Sequence, residues 1–146
     1  MKVTIQRVTH ANCVVENKIV SEIDKGYLVL VGFTHTDTLD NVKKMAKKVA
    51  NLRIFEDENE KMNLSIIDVK GKILAISQFT LYADANQGNR PSFINSMKPD
   101  SANKLYEEFM SILNNEYNIP TLPGVFGAHM VLNPVCDGPV TINLEF

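Results

Sequence analysis

GYLVLVGF, at residues Gly26–Phe33, is a near-continuous apolar run. A run of this kind is typical of a central strand that is covered on both faces. KILAISQFTL, at residues Lys72–Leu81, has the same apolar character and ends in polar residues. The two runs therefore predict a sheet whose central strands are buried between other layers.

Further strands are predicted on either side of this centre. The side chains of Lys2–Thr9 alternate between two faces, which predicts a strand. A hairpin is predicted around a Glu16-Asn17 turn, with Asn12–Val15 and Lys18–Ile23 as its two strands. The last stretch, Val125–Phe146, predicts two strands that are joined around Cys136-Asp137-Gly138-Pro139.

Two amphipathic helices complete the predicted architecture. From Leu39 to about Arg53 the apolar residues share one arc of a helix, and the opposite arc carries Lys43, Lys44, Lys47 and Lys48. We interpret these lysines as a solvated face, although their charge also suits phosphate. A second helix opens at Pro99 and ends before Pro120. The element order predicts an α/β (α+β) fold in which mixed β-sheets are layered with two amphipathic helices.

Length and composition predict the class of protein. The chain has 146 residues, which predicts one domain, residues 1–146, and its 45% hydrophobic and 22% charged residues exclude a disordered chain. No apolar run approaches the about 18 residues of a membrane helix, and we expect no membrane partner. The first residues lack the apolar stretch of a signal peptide. The sequence has two cysteines, Cys13 and Cys136, and predicts a cytoplasmic protein with reduced thiols.

The charge balance and the histidines restrict the chemistry. A net charge of −2 is not that of a protein that wraps long nucleic acid, so we expect no DNA partner, whereas a small contact with an RNA end is compatible with it. His10, His35 and His129 are scattered, and no HExxH, CxxC or glycine-rich phosphate loop occurs, so no metal and no cofactor are predicted. Cys136 with His129 stays open as a nucleophile–base pair, although a cysteine in a terminal strand is more often a small buried side chain.

Three polar clusters and one arginine remain as candidates. SQFT, at Ser77–Thr80, brings two hydroxyls, an amide and a ring to the end of a buried strand. DGPVT, at Asp137–Thr141, predicts an ordinary turn when it is taken alone. In the predicted long loop Ala83–Ser96, which holds Gly88–Phe93, the guanidinium of Arg90 suits phosphate. Arg7 lies on the apolar side of its strand, which predicts a semi-buried guanidinium with polar partners.

Together these clusters resemble the D-aminoacyl-tRNA deacylases (the D-tyrosyl-tRNA deacylase family) along essentially the whole chain. Any one segment is weak evidence, whereas five in the right order are specific. The matching segments are Gln6-Arg7-Val8, Ser77-Gln78-Phe79-Thr80-Leu81, Gly88-Asn89-Arg90-Pro91-Ser92-Phe93, Phe126-Gly127-Ala128 and Asp137-Gly138-Pro139-Val140-Thr141. The chain departs from the family pattern at Cys136, where the family usually has Asn, and at His129, where it usually has an acidic residue.

The resemblance implies that the chain hydrolyses the ester between a D-amino acid, or misplaced glycine, and the terminal ribose of tRNA. The RNA's own 2′-hydroxyl would assist this chemistry, and Thr80 as a covalent nucleophile is the competing mechanism. The resemblance also implies a homodimer in which a Gly138-Pro139 segment with a cis bond reaches into the partner's pocket. The implied catalytic residues are Ser77, Gln78, Phe79 and Thr80, and the implied substrate-binding residues are Gly138, Pro139, Val140, Thr141, Arg7, Arg90 and Met130.

Two alternatives remain at this point. A non-catalytic binder of the tRNA acceptor end on the same scaffold is motivated by the departures at Cys136 and His129. A cysteine hydrolase that uses these two residues is the third hypothesis.

Overall fold

The computed structural model describes residues 1–86 and 88–146, and Gln87 in the predicted loop Ala83–Ser96 lies outside the described residues. The described part of the chain forms strands, two α-helices and a short 3-10 helix at Phe79–Tyr82. In chain order the elements are β1 (Lys2–Val15), β2 (Lys18–Ile23), β3 (Gly26–Gly32), α1 (Leu39–Asn51), β4 (Arg53–Glu56), β5 (Met62–Ser65), β6 (Lys72–Ser77), α2 (Pro99–Asn115), β7 (Thr121–Pro123) and β8 (Val131–Glu145).

Six of these strands make one mixed sheet with the order β2-β1-β3-β6-β7, in which β8 also pairs with β1. β3 and β6 run parallel, as do β6 and β7, whereas β1 is antiparallel to its three partners. β4 and β5 form a separate hairpin. The predicted α/β (α+β) class, a mixed sheet with two helices, is confirmed.

Both faces of the central strands are buried. Val29 and Val31 of β3 contribute to the core beneath α1 and α2, and Leu28 of the same strand contributes to a second cluster on the other face. This explains the unbroken apolar run, because a strand covered on both sides has no position left for a polar side chain. α2 is tied to β6 by the hydroxyl of Tyr106, which donates to the carbonyl of Ala75 at 2.7 Å, and burial raises the pKa of this phenol.

The helices agree with the sequence patterns. α1 buries Val42, Met45, Ala46, Val49 and Ala50, and its lysines are exposed, as predicted. A proline at the start of α2 is well placed, because the first N–H groups of a helix have no acceptor within it. Within the described ranges, neither helix combines the length and the apolar character that crossing a bilayer needs.

Several strand boundaries differ from the prediction. Lys2–Thr9 and Asn12–Val15 belong to one continuous strand, β1, because β8 pairs with β1 from Lys2 to Val14 and bridges the gap between them. The β4–β5 hairpin and the short β7 were not predicted. β6 ends at Ser77 instead of continuing to Leu81, since the chain there turns into the 3-10 helix.

The predicted turn at Asp137-Gly138-Pro139 is a bulge inside the single strand β8. On its two sides, Cys136 stays opposite Val8 and Thr141 stays opposite Gln6. Four residues of β8, Asp137–Val140, therefore stand opposite the single residue Arg7 of β1. The sequence suggested a turn because Asp-Gly-Pro has turn chemistry, and the pairing of both flanks with β1 keeps it within the strand. We call Asp137–Val140 the β8 bulge.

Candidate active site

The end of β6 builds the centre of the site. Ser77 lies beside Val31 of β3, and the N–H of Gln78 still donates to the carbonyl of Val31 at 2.7 Å. At Gln78 the backbone leaves the strand and enters the 3-10 helix. The N–H groups of Phe79 and Thr80 stand at the start of that helix, where it offers them no acceptor. Two N–H groups that have no acceptor within the helix thus come directly after a buried strand.

A cavity of about 620 Å³ opens at this strand end. This volume is in the range of small-molecule sites, about 300–1,000 Å³. Its walls come from the end of β3, from Ser77, Gln78 and Phe79, from the start of α2 and from the segment that precedes β8. Most of the lining side chains are apolar, and Met130 and His129 belong to the last of these walls.

Two aromatic rings stand at the cavity. Phe79 and Phe93 meet edge to face with 5.1 Å between their ring centroids. The rings stay accessible, with 55% of Phe79 and 39% of Phe93 exposed. Ser96 holds the loop against the 3-10 helix, because its hydroxyl donates to the carbonyl of Phe79 at 3.0 Å. An exposed aromatic pair at the edge of a cavity is suited to contact a planar ligand.

Not every candidate residue lines the cavity. Ser77, Gln78, Phe79 and Met130 line it together. Thr80 is exposed beside it, and its hydroxyl accepts a hydrogen bond from the side-chain amide of Gln78. Arg90 and the β8 bulge do not belong to the walls of the cavity.

The buried side chain of Arg7 contacts the β8 bulge and holds it in place. This side chain is only 5% exposed, and it reaches both the main chain and the carboxylate of Asp137, since Nε lies 3.2 Å from the carbonyl oxygen and 3.1 Å from Oδ2. Nη1 donates to the carbonyl of Ile54 at 2.7 Å, and Nη2 lies 3.6 Å from a carboxylate oxygen of Glu56. The predicted buried guanidinium with polar partners is confirmed.

The bulge itself is narrow and turned outward. The Gly138-Pro139 peptide bond is cis, and Gly138 has φ +116°. A Cβ at Gly138 would lie 2.8 Å from Cγ2 of Val140 and 3.3 Å from Nη2 of Arg7. Gly138 and Pro139 are exposed, whereas Val140 is buried in the core. Beyond the bulge, the hydroxyl of Thr141 donates to Oε1 of Gln6 at 2.9 Å.

Sequence comparisons place the chain among known proteins. It matches the family model described as D-Tyr-tRNA(Tyr) deacylase over residues 4–145. The D-aminoacyl-tRNA deacylase of Fusobacterium nucleatum subsp. nucleatum is 54% identical over 145 residues, which are 99% of this chain and 95% of that protein. The chain belongs to the D-Tyr-tRNA(Tyr) deacylase family. A further relative, the D-aminoacyl-tRNA deacylase of Exiguobacterium sibiricum, is 52% identical over 99% of both chains.

Membership in the deacylase family makes the chain a hydrolase, as the resemblance predicted. A solved structure titled "c-Myc DNA Unwinding Element Binding Protein" superposes with a TM-score of 0.95 at 39% identity, covering 100% of this chain and 99% of that one. Another, of a probable eukaryotic D-amino acid tRNA deacylase, gives a TM-score of 0.85 at 17% identity over 99% and 98% of the two chains. At that identity the second comparison shows the fold alone.

The two cysteines of this deacylase-family chain differ from each other. Cys13 is buried, as interpreted from the sequence, and burial raises the pKa of its thiol. Cys136 is exposed, so its interpretation as a small buried side chain is wrong. It stands at the edge of the bulge, opposite Val8 of β1. His129 lines the cavity and Cys136 does not, so the structure does not bring this candidate pair together in one chain.

The deacylase-family site also includes residues that the sequence did not single out. Met97, Lys98 and Pro99 at the start of α2 line the cavity. α2 connects the parallel strands β6 and β7, and in such a crossover the helix begins near the carboxyl end of the first strand. The proline at the start of α2 was the sequence signal from which the position of these three residues near the end of β6 could have been inferred. Within residues 1–86 and 88–146 no group of three potential metal ligands occurs.

Proposed function

We propose that the chain hydrolyses the ester of D-aminoacyl-tRNA and of mischarged glycyl-tRNA, releasing the amino acid and the tRNA. The observation that carries the proposal is the cavity at the end of β6, beside the two N–H donors of Phe79 and Thr80. Membership in the family supports the substrate class. The cavity would take the D-amino acid and the terminal adenosine, and Phe79 with Phe93 would contact the planar base.

The chemistry needs little from the side chains. An aminoacyl ester is already activated, so the site has to position a water molecule and stabilise the negative charge that develops on the carbonyl oxygen. The N–H groups of Phe79 and Thr80 would stabilise this charge. Water attacks the carbonyl carbon, the bond to the ribose oxygen breaks, and that oxygen takes up a proton with the help of the neighbouring 2′-hydroxyl of the RNA.

Thr80 is the competing nucleophile. Its hydroxyl lies outside the cavity wall and accepts a hydrogen bond from Gln78, and in the described part of the chain no histidine or carboxylate is bonded to it to remove its proton. This arrangement favours the RNA-assisted route. We expect Thr80→Ala to keep most of the activity, whereas a complete loss, with an acyl adduct trapped on the wild-type protein, would establish Thr80 as the nucleophile.

A homodimer would complete the site. Gly138 and Pro139 of the β8 bulge are exposed and do not line the cavity of their own chain, so a second copy would bring the bulge and a cavity together. The outer face of β1 and β8 next to the bulge exposes apolar side chains beside the hydrogen-bonded pair of Asn12 and Asn133. Val131 lies opposite Val14, and Val135 lies four residues further along the same face, with exposed fractions of 50% and 55%. On β2, Ile19 lies opposite Val14 and is 59% exposed.

Selectivity would then come from the bulge of the partner. A narrow main-chain segment that Arg7 holds in place can bind the amino group of the substrate and leave no space for the side chain of an L-amino acid. Glycine has no side chain to exclude and would be accepted.

Hydrolysis of matched esters tests the proposal. D-tyrosyl-tRNA, L-tyrosyl-tRNA and mischarged glycyl-tRNA are incubated with the protein, and release of the amino acid is followed. We expect release from the first and third and none from the second. Equal hydrolysis of the D- and L-esters would contradict selection by the bulge, and tight binding of charged tRNA without turnover would select the non-catalytic alternative.

Mixing two inactive variants tests the shared site. Ser77→Tyr fills the cavity, and Gly138→Val distorts the bulge. A mixed dimer holds one site with an intact cavity and an intact bulge, so random mixing should restore about a quarter of the wild-type activity. If cavity and bulge served the same subunit, the mixture would stay inactive.

A further inference from the structure

The outward face of α1 carries a concentration of positive charge that the proposed chemistry does not use. Lys43, Lys44, Lys47 and Lys48 are all exposed. Among the residues that the structure describes, no carboxylate forms an ion pair with any of the four. Residues 43 and 47, and residues 44 and 48, are neighbours on the helix surface, where like charges disfavour the helix. Lys48 lies in the last turn, where a positive charge stabilises the helix, whereas the clustering of all four lysines goes beyond what the helix requires.

Three of these lysines line a groove. Lys44, Lys47 and Lys48 line a cavity of about 420 Å³ together with Arg53 and Phe146. Arg53 is held in place, because Nε donates to the carbonyl of Asn63 and Nη2 to its side-chain oxygen, both at 2.8 Å. The ring of Phe146 is 44% exposed. Positive side chains beside an accessible aromatic ring are the combination that binds a nucleic-acid strand.

The groove is connected to the candidate active site through the course of the chain. Val31, Gly32 and Phe33 line the cavity at the carboxyl end of β3, and α1 follows at Leu39. Since the helix has 13 residues, it extends about 20 Å. The lysines begin one turn into the helix, and Leu52 at the far end of the groove accepts a hydrogen bond from the hydroxyl of Tyr27 at the start of β3, so the groove extends along α1 away from the cavity.

We propose that this basic groove binds the sugar–phosphate backbone of the tRNA whose aminoacyl end occupies the cavity. The identity of the RNA rests on the proposed function. With a net charge of −2 the chain as a whole does not attract a polyanion, so the attraction has to come from a local surface such as this one.

Two substrates separate the groove from the reaction. The first is D-tyrosyl-tRNA and the second is D-tyrosyl-adenosine, which has the same ester and no phosphate backbone. The test variant is Lys44→Gln/Lys47→Gln/Lys48→Gln. The control is Lys18→Gln/Lys70→Gln/Lys104→Gln, which removes the same charge from exposed lysines on β2, on the β5–β6 connection and on α2.

We expect the test variant to raise the KM for D-tyrosyl-tRNA about tenfold or more at moderate salt and to lower the salt dependence of binding, because each phosphate contact adds roughly 0.7–0.9 to the log–log slope. Hydrolysis of D-tyrosyl-adenosine should be unchanged. Equal KM values for the test and control variants would overturn the proposal, and so would lysine-dependent binding to anionic lipid vesicles with unchanged tRNA kinetics.

Binding of uncharged tRNA, measured by filter retention, tests the groove without turnover. If the wild-type protein hydrolysed neither ester, the proposed function would fail, while weaker tRNA binding by the test variant than by the control would still support the groove. Equal tRNA binding by both variants would overturn the groove and leave the hydrolase intact.

Discussion

At the scale of single residues, Arg7 and Cys136 show what a pattern can and cannot reveal. Arg7 was recognisable as buried because it shares the face of Val3 and Ile5 in an alternating strand. The exposure of Cys136 was not recognisable. The alternation of side chains along a strand shows which residues share a face, but it does not show which face another layer covers. Ser77 and Phe79 line the cavity, whereas the exclusion of Thr80 depends on the direction of the 3-10 helix.

Arg7→Lys tests whether the forked guanidinium positions the bulge. Lysine keeps the charge, and a single ammonium group cannot replace contacts to Asp137, Ile54 and Glu56 at once. We expect a loss of about 2 kcal/mol in the free energy of unfolding, measured in urea, together with a lower ratio of D- to L-ester hydrolysis. A stable variant with an unchanged ratio of D- to L-ester hydrolysis would show that the bulge keeps its conformation without the guanidinium of Arg7.

Gly138→Ala tests the space around the bulge. The added Cβ would lie 2.8 Å from Val140 at a φ of +116°, and strain of this kind costs on the order of 1–3 kcal/mol. Gly88→Ala is the matched control, because Gly88 has a φ of +94° and nothing lies within 4 Å of its Cβ position. We expect the hydrolysis of D-tyrosyl-tRNA to fall strongly in the first variant and to persist in the second. Similar losses in both would mean that φ alone, and not the contact with Val140, limits this position.

At the scale of elements, periodicity identified the helices and the buried strands. It failed where pairing partners are distant in sequence. β1 and β8 are long because each supports the other across more than a hundred residues, a relation that no local window contains. The β4–β5 hairpin was not predicted for a different reason, because the acidic sequence of its turn is typical of a solvated loop.

That turn is ordered by Asp57, and its titration can be measured. The hydrogen bond from the side chain of Asn63 is the largest of the causes that hold the pKa of Asp57 below its usual value, and the N–H groups of Lys61 and Asn59 add to it. The lowered pKa means that the carboxylate stabilises the hairpin above the usual pKa of 3.8 and that this is lost as the pH falls through the lowered value.

We therefore expect Asn63→Ala to raise the pKa of Asp57 toward 3.8, as followed by NMR. Asp68 serves as an internal reference, because its pKa is lowered chiefly by Ser65. An unchanged pKa of Asp57, or an equal shift at Asp68, would argue against this network.

At the scale of the whole molecule, the sequence predicted the layers and their order but not the surface that a second copy would cover. The fold class followed from local patterns, because helices and central strands are patterned by burial. The exposed valines of β8 became recognisable as one surface only once the pairing with β1 showed that Val131 and Val135 point to the same side.

Val131→Asp/Val135→Asp tests that face. Two carboxylates in an apolar interface without partners should weaken the dimer by about tenfold or more, and hydrolysis of D-tyrosyl-tRNA should fall in parallel. Sedimentation at several protein concentrations measures the assembly. Ile67→Asp is the control, because Ile67 is 42% exposed and lies between β5 and β6. A monomeric wild-type protein with full activity would contradict the shared site.

The register of β8 separates two tasks on the molecule. The scaffold fixes Cys136 and Thr141 against β1, and the four residues between them form an insert whose ends are already anchored. Hydrolysis would depend on the end of β6, which is another element altogether. With the selectivity proposed above, chiral preference would be modular in this architecture: the insert could be exchanged or diversified while the end of β6, where the ester would be cleaved, stays unchanged.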